Sequence, residues 1–244
     1  MRLRLEVAYH GAGFNGWQSQ ACGNTIQDRL EKAFFALCQD RLTVHGAGRT
    51  DAGVHAEGQC AHVDVAEGRL SLREWPLALN AHLPEAIRIM KIEEVSDDFH
   101  ARFSARGKTY RYTIWNTSAM HPMLCDRAWH VPGELKWDRL QAACSLFQGT
   151  HDFAAFSLRR TNAPEHTVRT LHSIKPESAD GRIDLVFKGE GFLYKMVRIL
   201  TAAIIRHASG RVELDELAGQ LRLASPVFNH TAPANGLCLV RVAY

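Results

Sequence analysis

The sequence predicts an α+β fold built from two split β-α-β halves, and three observations carry that expectation. Short stretches alternate apolar and polar residues at period two, as half-buried strands do. Longer stretches between them place apolar residues three and four apart, as amphipathic helices do. The order β-α-β-β-α-β is met twice along the 244 residues, with insertions the second time.

The first half opens with Leu3 to Tyr9, which alternates as a strand. Thr25 to Gln39 carries Ile26, Leu30, Ala33, Phe34 and Leu37 on one helical face, with Asn24 or Thr25 in place to cap it. A short strand near Thr43–His45, a Gly-rich loop and a strand over Gln59–Val65 follow. Ser71-x-x-Glu74 is a capping box, and the helix it opens tolerates Pro76 in its first turn. Ala86 to Val95 alternates again.

In the second half, Lys108–Trp115, His166–Ile174 and Ile183–Phe187 read as strands. Leu135–Phe147 and Phe192–His207 read as helices, and an extra helix, Leu214–Leu223, precedes a closing strand over Leu237–Val242. The expected domains are 1–105 and 106–244, with Ser96–Arg106 as the crossover and the polar stretch Ser157–Glu165 as a mobile loop. Such halves are ferredoxin-like. Related by a pseudo-two-fold axis, they could join their sheets edge to edge into one mainly antiparallel sheet, leaving a central cleft suited to RNA.

Composition narrows the class. Apolar residues make up 46% and charged residues 23%, the balance of an ordinary soluble globular chain. The alternation of charge and apolarity from Arg2 onward leaves no signal-peptide core, and the apolar run Ile199–Ile205 ends at Arg206, far short of a membrane span. A cytoplasmic protein is expected, with no membrane partner. Cysteines at 22, 38, 60, 125, 144 and 238 form no C-x-x-C pair, which argues against a disulfide framework or a zinc site, and the 13 histidines include no H-E-x-x-H. No bound metal is expected. Net charge is only +3, but 22 of the 29 basic residues are arginine, whose planar fork suits phosphate and stacks on bases. A genome that encodes arginine often would produce the same bias.

The most conspicuous motif misleads. Gly11-Ala-Gly13-Phe-Asn-Gly16 matches a dinucleotide fingerprint, yet the helix waits until about Thr25 and the next strand ends without a carboxylate. It reads as a turn that needs tight bends, so no nucleotide cofactor is expected there. The loop Gly46-Ala-Gly48-Arg49-Thr50-Asp51-Ala52-Gly53-Val54-His55 lacks G-K-[ST] and is not a P-loop. An aspartate in such a loop most often makes an Asx-turn. Here Arg49 stands two residues before it on a loop without bulky cover, a setting in which an anionic polymer could meet a catalytic acid.

Two further groups stand out. On a strand, Arg106, Lys108, Tyr110 and Tyr112 share one face, combining cations with rings as backbone tracking and base stacking require. The tyrosines are equally compatible with core aromatics that keep a hydroxyl at the edge. In Phe192-Leu-Tyr-Lys-Met-Val-Arg198-Ile, an arginine sits among apolar neighbours, where an unpaired charge is costly.

Together these segments resemble the tRNA pseudouridine synthase A family. Tyr9-His-Gly11, Phe14-x-Gly16-Trp17-Gln18-x-Gln20, the nonapeptide Gly48 to Ala56, Lys108-x-Tyr110-x-Tyr112, Phe192-Leu-x-x-Met196-Val197-Arg198 and Ala232-Pro-Ala-x-Gly236-Leu237 follow in the family's order. His10 departs from it where aspartate is commoner, which touches a loop contact and not the chemistry. The resemblance implies a homodimeric, cofactor-free isomerase that converts uridine to pseudouridine in the anticodon stem-loop of tRNA, at positions thirty-eight to forty. It implies Asp51 as the catalytic carboxylate, Tyr110 as the ring against the target base, and Arg198 as the ion partner of Asp51. Arg49 would fill the space that the flipped base vacates. The expected substrate- and RNA-binding set is Arg49, Thr50, His55, Arg106, Lys108, Tyr112 and Lys195. His55, Lys195 and the Arg159–Arg160 pair are either phosphate contacts or solvated groups.

Isomerisation must break the N-glycosidic bond, turn the base and rejoin it through carbon. A carboxylate can attack C1′ or remove the C2′ proton to give a glycal, and the sequence does not choose. A hydrolase that cleaves a glycosidic bond would need two carboxylates, and the loop offers one. A non-catalytic RNA-binding module would use the same basic and aromatic face without needing Asp51.

Overall fold

A computed structural model describes residues 1–158, 166–223 and 230–244. Most of the stretch expected as a mobile loop, and Arg159 and Arg160 with it, lies outside the described residues. In chain order the elements are β1 (Arg2–Tyr9), α1 (Ile26–Cys38), β2 (His45–Gly46), β3 (His55–Asp64), α2 (Glu74–His82), β4 (Ile87–Val95) and β5 (Gly107–Trp115). Then come β6 (Trp129–His130), α3 (Trp137–Leu146), β7 (Gly149–Asp152), β8 (Val168–Ala179), β9 (Arg182–Gly189), α4 (Met196–Ala208), α5 (Leu214–Leu221) and β10 (Leu237–Ala243). The fold is α+β, with open and mostly antiparallel β-structure. Two compact units emerge: 1–106 with 238–244, and 107–237.

In the first unit the strand order is β4-β1-β3, with β1 antiparallel to both neighbours. The alternation read in β1 is its burial pattern: Leu3, Leu5, Val7 and Tyr9 are buried, while Arg2, Arg4 and Glu6 line the other face. Also buried are Ile26, Leu30 and Phe34 of α1 and Trp75 and Leu79 of α2, with the Phe34 and Trp75 rings 5.7 Å apart. Each such side chain stabilises the unit by about 1.5–3 kcal/mol through apolar burial. Thr25 caps α1 through a complete capping box with Asp28, a partner the sequence reading had not singled out. Ser71 and Glu74 form only half of theirs. The Ser71 N–H donates to the Glu74 carboxylate at 2.8 Å, while the Glu74 N–H bonds the Ser71 carbonyl instead of a hydroxyl.

The closing strand corrects the expected domain boundary. β10 pairs in parallel with β3, through Cys238 with His55 and Leu239 with Ala56, so residues 238–244 belong to the first unit. The two-residue β2 pairs with the other end of β3, at His62 and Ala61. β10 and the short β2 thus share one edge of β3, and β1 takes the other.

In the second unit the order is β5-β9-β8-β7, with β6 beside β5. β8 and β9 form a hairpin closed by Asp180 and Gly181, both at positive φ, the two-residue turn whose twist matches the strands. This turn carries β8 past Ile174 to Ala179. Pro176 is tolerated within it because β7 pairs only with Val168–Leu171, which leaves that edge without a ladder to break. The strand β7 was not anticipated; its Gly-Thr-His-Asp has no apolar alternation to announce it. α4 begins at Met196 rather than Phe192, because Lys195 is left-handed at φ 59 and ends a non-helical lead-in. Nearly every residue of α4 is buried, so it is a core helix lacking a polar face.

Candidate active site

The Asp51 loop runs from Gly46 to Val54 between β2 and β3, and the first unit clamps it residue by residue. At its root the Ala47 N–H donates to the Cys60 carbonyl at 2.8 Å, and the Gln59 side-chain amide donates to the Gly48 carbonyl at 2.9 Å. The Trp17 N–H donates to the Thr50 carbonyl at 3.1 Å, and the Thr50 and Tyr9 hydroxyls are 2.8 Å apart. The Gly53 N–H reaches the Phe14 carbonyl at 3.3 Å, and Val54 N–H closes the turn on the Asp51 carbonyl at 3.2 Å, with Gly53 itself at φ +80. Buried backbone groups need such partners, and the loop finds them on the segment that follows β1.

That segment is the Gly11–Gly16 motif, which serves as a seat for the loop. A Cβ on Gly16 would stand 2.5 Å from the Thr50 carbonyl oxygen, and one on Gly11 would collide with the Val54 carbonyl. Gly16 also has φ +84. The glycines are there so that one backbone can lie directly on another. His55 starts β3 and accepts from the Gly11 N–H through Nδ1 at 3.1 Å, and its ring lies 4.6 Å from that of His10. Thr50 and His55 are each only 8% exposed, so both act within this clamp. Arg49 is exposed, with Nε donating to the Gln18 side-chain oxygen at 3.0 Å. Arg106 is exposed as well, its N–H bonded to the Ala243 carbonyl at 2.8 Å.

In the second unit, β5 and the start of α4 present the other expected residues. Tyr110 is 8% exposed and meets the edge of Phe192 at 5.0 Å and 83°. Tyr112 is fully buried, and its hydroxyl donates to the Pro233 carbonyl at 2.7 Å. Burial pushes its phenol well above the ordinary value, partly opposed by Arg198. Its ring has no exposed surface, the placement of a core aromatic. Arg198 is half-buried; its Nε donates to the Ala232 carbonyl at 2.8 Å, and the Ala232 N–H returns a bond to the Arg198 carbonyl at 3.1 Å. Tyr112 and Arg198 are therefore fixed by consecutive carbonyls, Pro233 and Ala232. Lys108 is half-buried on β5 opposite Gly189, and Lys195 places its ammonium 5.4 Å from the Tyr194 ring centroid.

Sequence reasoning missed the supporting residues: Tyr9, Gln18 and the role of Phe192 against Tyr110. Tyr9, Gln18 and Phe192 were visible as motif members, but nothing in the sequence says which backbone, side chain or ring they touch. No cluster of three or more His, Cys, Asp or Glu among the described residues is arranged to hold a metal. No helix among them is long and apolar enough to cross a membrane.

Comparison with known proteins defines the class as isomerases that form pseudouridine in tRNA. A family model described as tRNA pseudouridine synthase matches residues 7–104 and 143–244. A protein named tRNA pseudouridine synthase A from Akkermansia muciniphila is 44% identical over all of this chain and 95% of its own length. Those of the same name from Solidesulfovibrio magneticus and Bacillus licheniformis are 42% and 39% identical, again over the whole chain and 91% and 99% of their own lengths. The chain belongs to the tRNA pseudouridine synthase family.

Proposed function

We propose that this enzyme isomerises uridine to pseudouridine in the anticodon stem-loop of tRNAs, at positions thirty-eight to forty, with Asp51 as its catalytic carboxylate. The observation that carries the reading is the clamp on the Asp51 loop: hydrogen bonds at Thr50, Asp51 and Gly53 hold one carboxylate-bearing backbone in a fixed place. Rigid support of that kind is what a group must have to meet a reacting atom within tenths of an ångström.

Two routes use the carboxylate. In one, an Asp51 oxygen attacks C1′, the C1′–N1 bond breaks with its electron pair going to uracil, and C5 of the turned base displaces the carboxylate. In the other, Asp51 takes the C2′ proton as uracil leaves, giving a glycal; C5 then bonds to C1′ and the proton returns to C2′. In both, the C5 proton is finally lost to water and N1 gains one. The detached uracil must stay in place while it turns. Tyr110, held edge-on by Phe192, supplies an aromatic wall, and Arg198 supplies positive charge for the carboxylate. Flipping the target base costs a few kcal/mol of stacking, which Arg49 offsets by filling the gap. Arg106, Lys108 and Lys195 meet the phosphate backbone, and Thr50, His55 and Tyr112 hold the groups that touch the substrate. The enzyme works as a cytoplasmic homodimer with no metal and no organic cofactor.

The test is tritium release from tRNA labelled at uracil C5, with no cofactor added, comparing the native chain with Asp51→Asn. Release by the native chain and none by the variant is expected. A variant that still releases tritium removes Asp51 from the chemistry, and binding without release by either chain would leave only an RNA-binding module.

A further inference from the structure

Phe103 is the most exposed large apolar side chain among the described residues, at 77%. It lies in the crossover that follows β4, and the turn that carries it is rigid. The His100 N–H donates to the Ser104 hydroxyl at 3.0 Å, and the Ser104 N–H returns to the His100 carbonyl at 2.9 Å. Nδ1 of His100 accepts from the N–H groups of Arg102 and Phe103 at 3.1 and 3.3 Å. Beneath the turn, Ala101 is buried against Ala47 and Cys60, and its N–H donates to His62 Nδ1 at 3.2 Å. The phenyl ring is therefore displayed by a fixed scaffold.

Rings back it, running inward to the buried His62 and out again to the exposed His45. Phe103 lies 4.3 Å from His100, His100 lies 4.6 Å from His62, and His62 stacks on His45 at 4.9 Å and 21°. The Arg102 guanidinium is 5.7 Å from the Phe103 centroid and is exposed. The nearby carboxylate of Asp64 is paired with Arg2, which also bonds the carbonyls of Asp97 and Phe99. No metal set arises here, since Nδ1 of His62 and of His100 already accepts backbone N–H groups.

We propose that Phe103, with Arg102 and His100, is a stacking platform for an unpaired nucleobase of the tRNA substrate, separate from the site that takes the target uridine. A displayed ring beside a cation suits a base and its phosphate. An apolar protein partner would call for contiguous apolar surface, whereas the exposed neighbour of Phe103 is an arginine. Its position fits as well. His45 opens the loop to Asp51, six residues of chain span at most about 20 Å, and ring steps of 5.9 Å from His45 to His100 and 4.3 Å from His100 to Phe103 complete a path that several nucleotides cover. This inference rests on the proposed function.

The test measures equilibrium binding of tRNA to the full chain carrying Asp51→Asn, so that turnover does not intervene. Adding Phe103→Ala or Phe103→Leu is expected to weaken binding roughly five- to 150-fold, and Phe103→Trp to preserve it. Leu keeps the apolar bulk and loses only the ring. Arg102→Ala should weaken binding and flatten its dependence on salt. In the chain with Asp51 intact, Phe103→Leu should raise KM for tRNA and leave kcat unchanged. A parent that binds tRNA, with Phe103→Leu binding equally well, overturns the platform and leaves the proposed function standing. A parent that binds no tRNA overturns both. If Phe103→Ala converts a dimer to a monomer in sedimentation while affinity per chain is unchanged, the surface joins copies of the chain and the platform is overturned.

Discussion

Gly16→Ala tests how the Asp51 loop is held. The new Cβ would stand 2.5 Å from the Thr50 carbonyl oxygen and 3.0 Å from the Asp51 carbonyl carbon, both backbone atoms that cannot rotate aside. Ordinary contact begins at 3.4 Å, so the loop must retreat by the difference between 3.4 and 2.5, 0.9 Å. Alanine at φ +84 adds left-handed strain of about 1–2 kcal/mol, and overpacking adds about 1–3 kcal/mol. The sum, roughly 2–5 kcal/mol, is below the stability of about 5–15 kcal/mol usual for a folded protein, so the variant folds with a lower Tm. Displacing a catalytic group by about 1 Å costs on the order of a hundredfold in rate. Single-turnover tritium release with saturating tRNA should therefore fall about a hundredfold at a temperature well below the new Tm. Gly13→Ala is the internal control, because its Cβ meets nothing within 4 Å. A Gly16→Ala chain of lowered Tm but native kcat would refute the claim that this seat positions Asp51. Equal losses in both variants would assign the motif to something other than loop packing.

Arg49→Ala should lower turnover on structured tRNA far more than on a flexible oligonucleotide, where no stack must be opened; equal losses would remove the gap-filling role. Acid should loosen the first unit. Burial, aided by His100, His45 and Arg2 and opposed by Asp64, lowers His62 from its ordinary 6.5 to about 4. The unfolded chain then takes up a proton near pH 6.5 and the folded chain only near 4. Stability is thus full above about 6.5 and declines by roughly 3 kcal/mol as pH falls to 4. Urea unfolding at pH 7.5 and 5 should show about 2 kcal/mol of that decline, flattened in His62→Gln; an unchanged slope would refute it. Tyr112→Phe leaves the Pro233 carbonyl without its partner, at a cost of about 1–3 kcal/mol. Because the preceding carbonyl holds Arg198, kcat should drop while tRNA affinity stays native, and a neutral Tm with full kcat would contradict the coupling.

Local physics was legible in the sequence and long-range register was not. β1 and α1 could be read because alternation and the cap at Thr25 are written within a few residues. The start of α4 was misplaced because Phe192 and Leu193 continue its apolar pattern, while the left-handed Lys195 leaves no mark in composition. The hairpin turn at Asp180-Gly181 was a readable signal that would have extended β8. Asp51 stood out by its neighbours, yet the reason for Gly16 lay in a backbone more than thirty residues away. The stack of His45, His62 and His100 joins three separate segments, and only the pairing of β2 with β3 and the turn after β4 bring them together.

The shared edge of β3 also bears on the order of synthesis. Residues 238–244 leave the ribosome long after the rest of the unit that carries Asp51, and until they arrive β3 keeps an open edge where β10 will lie. A nascent chain can thus settle its second unit before its first is whole. The strand that follows the Asp51 loop is fully paired at His55 and Ala56 only when translation has passed through β10.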